Sequence, residues 1–166
     1  MKKETYVNIT APLRDNQKLA KIIHISNRFL TGIVFIAYPL LLLWLLLEKD
    51  LILARAIIVP LDSFVILTVF RYIVNARRPY EVFEMAPVIP KNTKGKSFPS
   101  RHVFSVFIIA MTYLAVCPIS WIGIVLLVIG CLLAVVRVVS GVHFPRDVIA
   151  GAIFGIAAGV VGFWMI

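Results

Sequence analysis

The sequence has few charged residues and only two cysteines, and both shortages narrow the class of protein. Only 15% of the 166 residues are charged and 61% are apolar, whereas about a quarter of the residues of a soluble domain are charged. The mean hydropathy is +0.97, which predicts that lipid surrounds much of the chain. Cys117 and Cys131 are predicted at the end of one helix and halfway along the next, so the sequence predicts no disulfide framework.

The sequence also lacks the common patterns that bind metals and nucleotides. It contains no H-E-x-x-H motif, no paired carboxylates and no glycine-rich phosphate loop, so it predicts neither a metal nor a cofactor. Cys131 and Arg137 match the C-x5-R spacing of cysteine-dependent phosphatases. We interpret this match as a coincidence, because residues 132–136 form an apolar helical run that cannot encircle a phosphate. Residues 1–28 contain six Lys and Arg residues and no apolar h-region, so no secretory signal peptide is predicted.

Five apolar segments are long enough, or nearly so, to cross a bilayer, whose hydrocarbon core needs about 20 residues of helix. They cover residues 29–47, 51–74, 102–117, 120–138 and 146–166. Residues 15–28 mix basic and apolar side chains, which is typical of an amphipathic helix at the membrane interface. The predicted fold is an all-α, polytopic membrane helix bundle with about five transmembrane helices and an N-terminal interfacial helix.

This pattern divides the chain into a polar N-terminal segment, 1–28, and a transmembrane domain, 29–166. The loops 75–101 and 139–145 of that domain are predicted on the same membrane face as the N-terminus. In the last segment, Gly151, Gly155 and Gly159 recur every four residues, and such a stripe of small residues predicts close packing against another helix.

The net charge of +9 comes from basic residues beside the membrane segments. They are interpreted as topology signals, lipid-headgroup contacts and ligands for an anionic substrate, so no nucleic acid is predicted as a partner. The face that holds the N-terminus and the two loops carries 15 of the 17 Lys and Arg residues. By the positive-inside rule, this face is predicted to be cytoplasmic. Arg77, Lys91, Lys94 and Lys96 are interpreted as a basic belt next to the membrane.

Three polar clusters fall on that face, at the ends of the predicted helices. They are Arg71, Arg77 and Arg78; the run from Ser97 to His102; and Arg137, Ser140, His143 and Asp147. Ionisable groups so close to lipid are expensive, so a functional role is the default hypothesis. Arg71, Arg78 and Arg137 supply planar donors for phosphate oxygens. Ser100 lies at the N-cap position of a helix whose first amides form an anion site.

The two histidines of these clusters provide the chemistry that a phosphate site needs. One imidazole can attack as a nucleophile and the other can act as a general acid. Asp147 follows His143 by four residues, so its carboxylate can hold that ring in the tautomer that leaves the other nitrogen free. The sequence therefore predicts an active site that contains His102, His143 and Asp147.

The three clusters resemble the signature of the type 2 phosphatidic acid phosphatase family, the integral-membrane lipid phosphate phosphatases. That signature is K-x6-RP, then PSGH, then SR-x5-H-x3-D. The corresponding stretches are Arg71-x6-Arg78-Pro79, Pro99-Ser100-Arg101-His102 and Val136-Arg137-x5-His143-x3-Asp147. Arg71 replaces the lysine, Arg101 replaces the glycine and Val136 replaces the serine. The resemblance covers about residues 65–155.

The resemblance implies metal-independent hydrolysis of a phosphate monoester or diphosphate on a membrane lipid. The substrate would be phosphatidate-like, phosphatidylglycerol-phosphate-like or a polyprenyl diphosphate. His143 would form a phosphohistidine, Asp147 would orient it, and His102 would protonate the leaving oxygen. The residues implied to hold the phosphoryl oxygens are Arg71, Arg78, Ser100, Arg101 and Arg137.

Some alternatives stay open at this point. The chain could be an undecaprenyl-diphosphate-specific phosphatase, or a non-catalytic lipid-phosphate binder or transporter on the same fold. Many bacterial members of the resembled family work on the outer leaflet, so the resemblance implies an extracytoplasmic active site, against the charge count. The sequence does not decide the oligomeric state.

Overall fold

The computed structural model describes residues 3–165, which form a bundle of α-helices. In chain order these are α1 (Lys3–Asp15), α2 (Gln17–Leu47), α3 (Ile52–Val74), α4 (Pro79–Phe83), α5 (Arg101–Val116), α6 (Ser120–Val139) and α7 (Pro145–Val160), and the π-helical turn Val161–Met165 continues α7. Each of the five predicted apolar segments overlaps one long helix: α2, α3, α5, α6 or α7. The all-α class and the polytopic bundle are thereby confirmed.

The helices divide into an outer group and one central helix. The segments Gln17–Leu47, Ile52–Phe83, Ser120–Val139 and Pro145–Met165 are long and apolar enough to cross a membrane. Helix α5 has only 16 residues, fewer than the roughly 17 that a spanning helix needs. It packs against α2, α3, α6 and α7, and most of its side chains are buried. Because the other helices surround it, α5 need not reach across the hydrocarbon core itself.

The glycine stripe of α7 allows the close contact with α5 that the sequence predicts. A Cβ atom on Gly151 would lie 2.6 Å from the carbonyl oxygen of Ser100, and one on Gly155 would lie 2.9 Å from that of Phe104. Both distances are too short for a real Cβ atom, so the two backbones are in direct contact. The contact brings the N-terminal ends of α5 and α7 together, and the Ser100 amide donates to the Asp147 carbonyl at 2.8 Å.

The N-terminal part differs from the sequence prediction. Asn16 is the N-cap of α2, and its side-chain oxygen accepts hydrogen bonds from the amides of Lys18 at 3.0 Å and Leu19 at 3.3 Å. From this cap, α2 continues to Leu47, so the interfacial helix predicted over 15–28 is instead the first part of a long helix. The predicted boundary between residues 28 and 29 falls inside α2. No glycine or proline interrupts the chain there, which explains why the helix continues.

A separate short helix, α1, lies nearer the N-terminus and packs against α2 and α6. Tyr6 of α1 is almost completely buried. Its hydroxyl group donates to the carbonyl oxygens of Val138 at 2.9 Å and His143 at 3.0 Å. Burial raises the pKa of Tyr6, so this hydroxyl remains a donor. Helix α1 therefore braces the 139–145 loop that carries His143.

Candidate active site

The structure brings the three predicted clusters together around one polar cavity of about 190 Å³. The predicted site residues that line this cavity are Arg71, Arg78, Arg101, His102 and His143. The other predicted site residues, Ser100, Arg137 and Asp147, are buried and do not line the cavity. These side chains come from the end of α3, the N-cap of α4, the start of α5, the end of α6, the loop before α7 and the first turn of α7.

His143 and Asp147 form a buried pair next to the cavity. The Nδ1 atom of His143 lies 3.6 Å from the Oδ2 atom of Asp147. The same oxygen accepts hydrogen bonds from the Ser97 hydroxyl at 2.5 Å and from the Phe144 amide at 3.0 Å. On the other side of the ring, Nε2 lies 3.5 Å from Nη1 of Arg78. The carboxylate thus faces the Nδ1 edge of the ring, and Nε2 faces Arg78.

The environment of His143 favours the neutral imidazole. Burial lowers the pKa of His143 from its usual value, and the charges of Arg137 and Arg78 lower it further, while the hydrogen bond with Asp147 opposes this shift. A neutral ring keeps a lone pair on the nitrogen that carries no proton. With the carboxylate facing Nδ1, that lone pair lies on Nε2, which is the state that nucleophilic attack requires.

Carbonyl oxygens of the loop before α5 hold the guanidinium groups of Arg71 and Arg78 in place. Arg78 donates to the carbonyls of Gly95 at 3.0 Å and Lys96 at 3.2 Å. Arg71 donates to the carbonyls of Pro99 and Lys96. Because both groups are also largely buried, their positions at the cavity wall are fixed before any anion binds there.

Arg137 and Ser100 have polar atoms that lack partners within residues 3–165. Nη1 of Arg137 donates to the side-chain oxygen of Asn27 at 3.0 Å, but Nε and Nη2 are buried without a hydrogen-bond partner. Ser100 occupies the predicted N-cap position of α5, yet its hydroxyl group makes no capping hydrogen bond and is also buried and unpaired. Buried polar atoms are nearly always satisfied, so these donors fit a ligand rich in acceptor oxygens.

The cavity also has residues to which the sequence assigned no catalytic or binding role. Lys91 and Lys96 line it, so these two members of the predicted basic belt also contribute charge to the cavity. Burial lowers the pKa of Lys91 to about 8, and the charges of Arg137 and Arg78 contribute to the shift. Ser97 belongs to a predicted cluster but had no assigned role. No periodic pattern marks these positions, because all three lie in the irregular loop before α5.

Within residues 3–165, no three His, Cys, Asp or Glu side chains are arranged to hold a metal ion. The charged side chains that line the polar cavity are all basic: Arg71, Arg78, Lys91, Lys96 and Arg101. A cavity lined in this way suits an anion with several oxygen atoms.

Solved structures with the same fold include two bacterial membrane proteins. The crystal structure of Aquifex aeolicus LpxE aligns with a TM-score of 0.72 at 24% identity, covering 96% of this chain and 92% of that chain. The crystal structure of the first transmembrane PAP2 type phosphatidylglycerolphosphate phosphatase from Bacillus subtilis aligns with a TM-score of 0.62 at 21% identity, covering 95% and 90%. These alignments show that the fold is shared.

Two characterised sequences are also similar. One is the bacitracin transport permease protein BcrC of Bacillus licheniformis, 29% identical in an alignment of length 137 that covers 78% of this chain and 64% of the relative. The other is an undecaprenyl-diphosphatase of Sulfolobus acidocaldarius, 33% identical in an alignment of length 97 that covers 56% of this chain and 47% of the relative. The chain thus spans less than two thirds of either relative.

All the predicted site residues lie in the part of the chain that matches a protein family. The sequence model of the PAP2 superfamily matches residues 50–166, from just before α3 to the last residue. This region includes the three clusters, so the resemblance drawn from them is confirmed. With this match over more than half of its length, the chain belongs to the PAP2 superfamily.

Proposed function

We propose that the protein hydrolyses a phosphate monoester or diphosphate carried by a membrane lipid, through a phosphohistidine intermediate. The observation that carries this proposal is the buried His143–Asp147 pair, whose ring edge opposite the carboxylate faces Arg78 at the polar cavity. The characterised relatives support it, since one of them is an undecaprenyl-diphosphatase. The cavity lies at the ends of α3 and α5 in a bundle whose other helices include ones long and apolar enough to cross a membrane, which suits a lipid substrate.

In the first step, Nε2 of His143 attacks the phosphorus atom of the lipid. The bond between phosphorus and the leaving oxygen breaks, and His102 donates a proton to that oxygen. Asp147 stabilises the positive charge that develops on the His143 ring. The guanidinium groups of Arg71 and Arg78, which line the cavity, bind the equatorial oxygens, where charge spreads in the transition state, and the buried charge of Arg137 behind them adds to the stabilisation.

In the second step, water hydrolyses the phosphohistidine. His102 has lost its proton in the first step, so it can now accept one from the attacking water. The bond between Nε2 and phosphorus breaks, inorganic phosphate leaves, and His143 is again a neutral imidazole. Both histidines thus return to their starting states, and the net reaction consumes one water molecule for each phosphoryl group removed.

We further propose that the active site faces the cytoplasm. The face with the polar cavity carries 15 of the 17 Lys and Arg residues, and only Lys49 and Arg55 belong to the other face. Five of the 15 are Arg71, Arg78, Arg101, Arg137 and Arg146, which belong to or flank the site. Without these, ten remain against two, and this asymmetry supports a cytoplasmic face by the positive-inside rule.

The test of the proposed activity is phosphate release by the purified protein in detergent. The panel includes phosphatidate, phosphatidylglycerol phosphate and a polyprenyl diphosphate, each assayed with EDTA and without added metal. We expect turnover of at least one lipid, insensitivity to EDTA and inhibition by vanadate, which imitates the transferring phosphoryl group. Binding of these lipids without any turnover would identify a non-catalytic binder, and loss of activity in EDTA that magnesium restores would refute the metal-independent mechanism.

A further inference from the structure

We propose that Arg101 is a specificity-determining residue. Its guanidinium group binds the phosphate that stays on the lipid product, so the site is selective for lipid diphosphates over lipid monophosphates. This inference rests on the proposed function, because it requires phosphoryl transfer to His143. Arg101 lies where two spaces meet, the polar cavity and an apolar groove.

The second space is an apolar groove of about 540 Å³ between α2, α3 and α5. Its walls include Val34 of α2, Phe64 of α3 and Ile108 of α5. The groove meets the polar cavity at two residues that line both spaces, Arg101 and His102. A hydrocarbon chain is the ligand that such walls favour, so this groove is matched to the lipid part of a substrate whose phosphate lies in the cavity.

The order of the lining residues gives the direction of a bound substrate. His143 lines the polar cavity alone, whereas His102 and Arg101 line both the cavity and the groove. A lipid whose terminal phosphorus lies at His143 therefore passes His102 and Arg101 before its chain enters the groove. In a lipid diphosphate, the group at this point is the second phosphate, which remains on the product. In a lipid monophosphate, no anionic group occupies the position next to the reacting phosphate.

The contacts of Arg101 leave its donors available. Its guanidinium carbon lies 5.4 Å from the centre of the Phe64 ring, and its side chain is exposed. Within residues 3–165 it has neither an ion pair nor a side-chain hydrogen bond, whereas Arg71 and Arg78 donate to loop carbonyls. The Phe64 ring supports the guanidinium plane from the groove side, and its N–H groups remain free for phosphate oxygens.

A purely structural role does not explain an arginine at this position. Arg101 is the first residue of α5, and the positive end of the helix dipole disfavours a cation there. The cavity already has Arg71 and Arg78 for the transferred phosphoryl group. An additional cation beside the leaving-group acid, His102, has a function when the leaving group itself is anionic, as it is in a lipid diphosphate.

The experiment compares two substrates with the same chain, farnesyl diphosphate and farnesyl monophosphate, by their kcat/KM values. We expect the wild-type protein to prefer the diphosphate. Arg101→Gln should reduce this preference about 10- to 100-fold, as for the loss of hydrogen bonds to a charged group, and mainly through KM for the diphosphate. Arg101→Lys should recover part of the preference because it keeps the charge. The matched control is Arg77→Gln, since Arg77 is exposed and does not line the polar cavity.

The possible outcomes separate this inference from the proposed function. The wild-type protein could prefer the monophosphate, or Arg101→Gln could lower kcat/KM for both substrates by the same factor. Either result would show that Arg101 does not bind the second phosphate, while the phosphatase activity would stand. If the wild-type protein hydrolyses neither these substrates nor the lipid panel, the proposed function itself is wrong. A loss of preference in Arg77→Gln equal to that in Arg101→Gln would show a general effect of surface charge and would also overturn the inference.

Discussion

The hydroxyl group of Ser97 donates a hydrogen bond of 2.5 Å to Oδ2 of Asp147, the carboxylate oxygen that faces the ring of His143. The serine belongs to the loop before α5, and the aspartate belongs to the first turn of α7. The relationship therefore ties the orientation of the His143 ring to a loop that also positions Arg71 and Arg78. In the proposed mechanism, Ser97 is a positioning residue that acts through Asp147.

Ser97→Ala is expected to lower kcat about tenfold while KM changes little, because the carboxylate loses one donor and orients His143 less firmly. A tenfold change corresponds to about 1.4 kcal/mol of transition-state stabilisation, within the range of hydrogen bonds to charged groups. Steady-state kinetics measure both constants. Ser97→Thr, which retains the hydroxyl group, should restore part of kcat. The control is Ser120→Ala on the exposed start of α6, and an equal loss in that variant would contradict the assignment.

His143→Ala is expected to abolish turnover, because no other group near the cavity replaces the attacking nitrogen. Asp147→Asn should leave a small residual activity, since only the orientation and charge stabilisation of the ring are lost; the corresponding change in a serine protease triad costs about 10⁴-fold. Rapid quenching with labelled substrate should trap a phosphoenzyme in the wild-type protein and in His102→Ala. His24→Ala, at an exposed position outside the clusters, is the control. Label that survives in His143→Ala would exclude this residue as the nucleophile.

Substrate affinity is expected to weaken as the pH rises above about 8. The pKa of Lys91 is lowered to about 8, so its amine is protonated below this pH and loses its charge above it. The cavity then has one cation fewer for an anionic substrate, and KM rises. Lys91→Arg should shift this rise in KM to higher pH, because a guanidinium stays charged. Lys94→Ala, on an exposed side chain outside the cavity, should leave the pH profile unchanged, and an unchanged profile in Lys91→Arg would contradict the role of Lys91.

The orientation of the active-site face can be measured by cysteine labelling. After replacement of Cys117 and Cys131, a single cysteine is introduced by Asn92→Cys in the loop between α4 and α5, where Asn92 is exposed. An impermeant maleimide should leave this cysteine unlabelled in intact cells and label it after permeabilisation, because the basic face is proposed to be cytoplasmic. Lys49→Cys, in the turn between α2 and α3, is the matched control for the opposite face and should be labelled in intact cells. Labelling of the Asn92→Cys variant in intact cells would place catalysis outside.

The sequence by itself determined the fold class and most of the site. Long apolar segments have no stable alternative to membrane helices, since the backbone must satisfy its own hydrogen bonds in lipid. The glycine spacing in α7 indicated its contact with α5, because only small residues let two helix backbones touch. The spacing of Arg78, His102, His143 and Asp147 was sufficient to indicate a candidate phosphate site. Five of the eight predicted site residues line the polar cavity: Arg71, Arg78, Arg101, His102 and His143.

Only the tertiary structure decided which other residues reach that site. Lys91 and Ser97 lie in an irregular loop, where no helical or strand period relates sequence position to direction. Asn27 meets Arg137 across 110 residues of chain, and Tyr6 reaches the carbonyl of His143 across 137. These contacts depend on how α1 and α2 pack against the end of α6, and packing between distant segments has no local signal. For the same reason, the position of Arg101 between the polar cavity and the apolar groove could be seen only when α2, α3 and α5 were assembled.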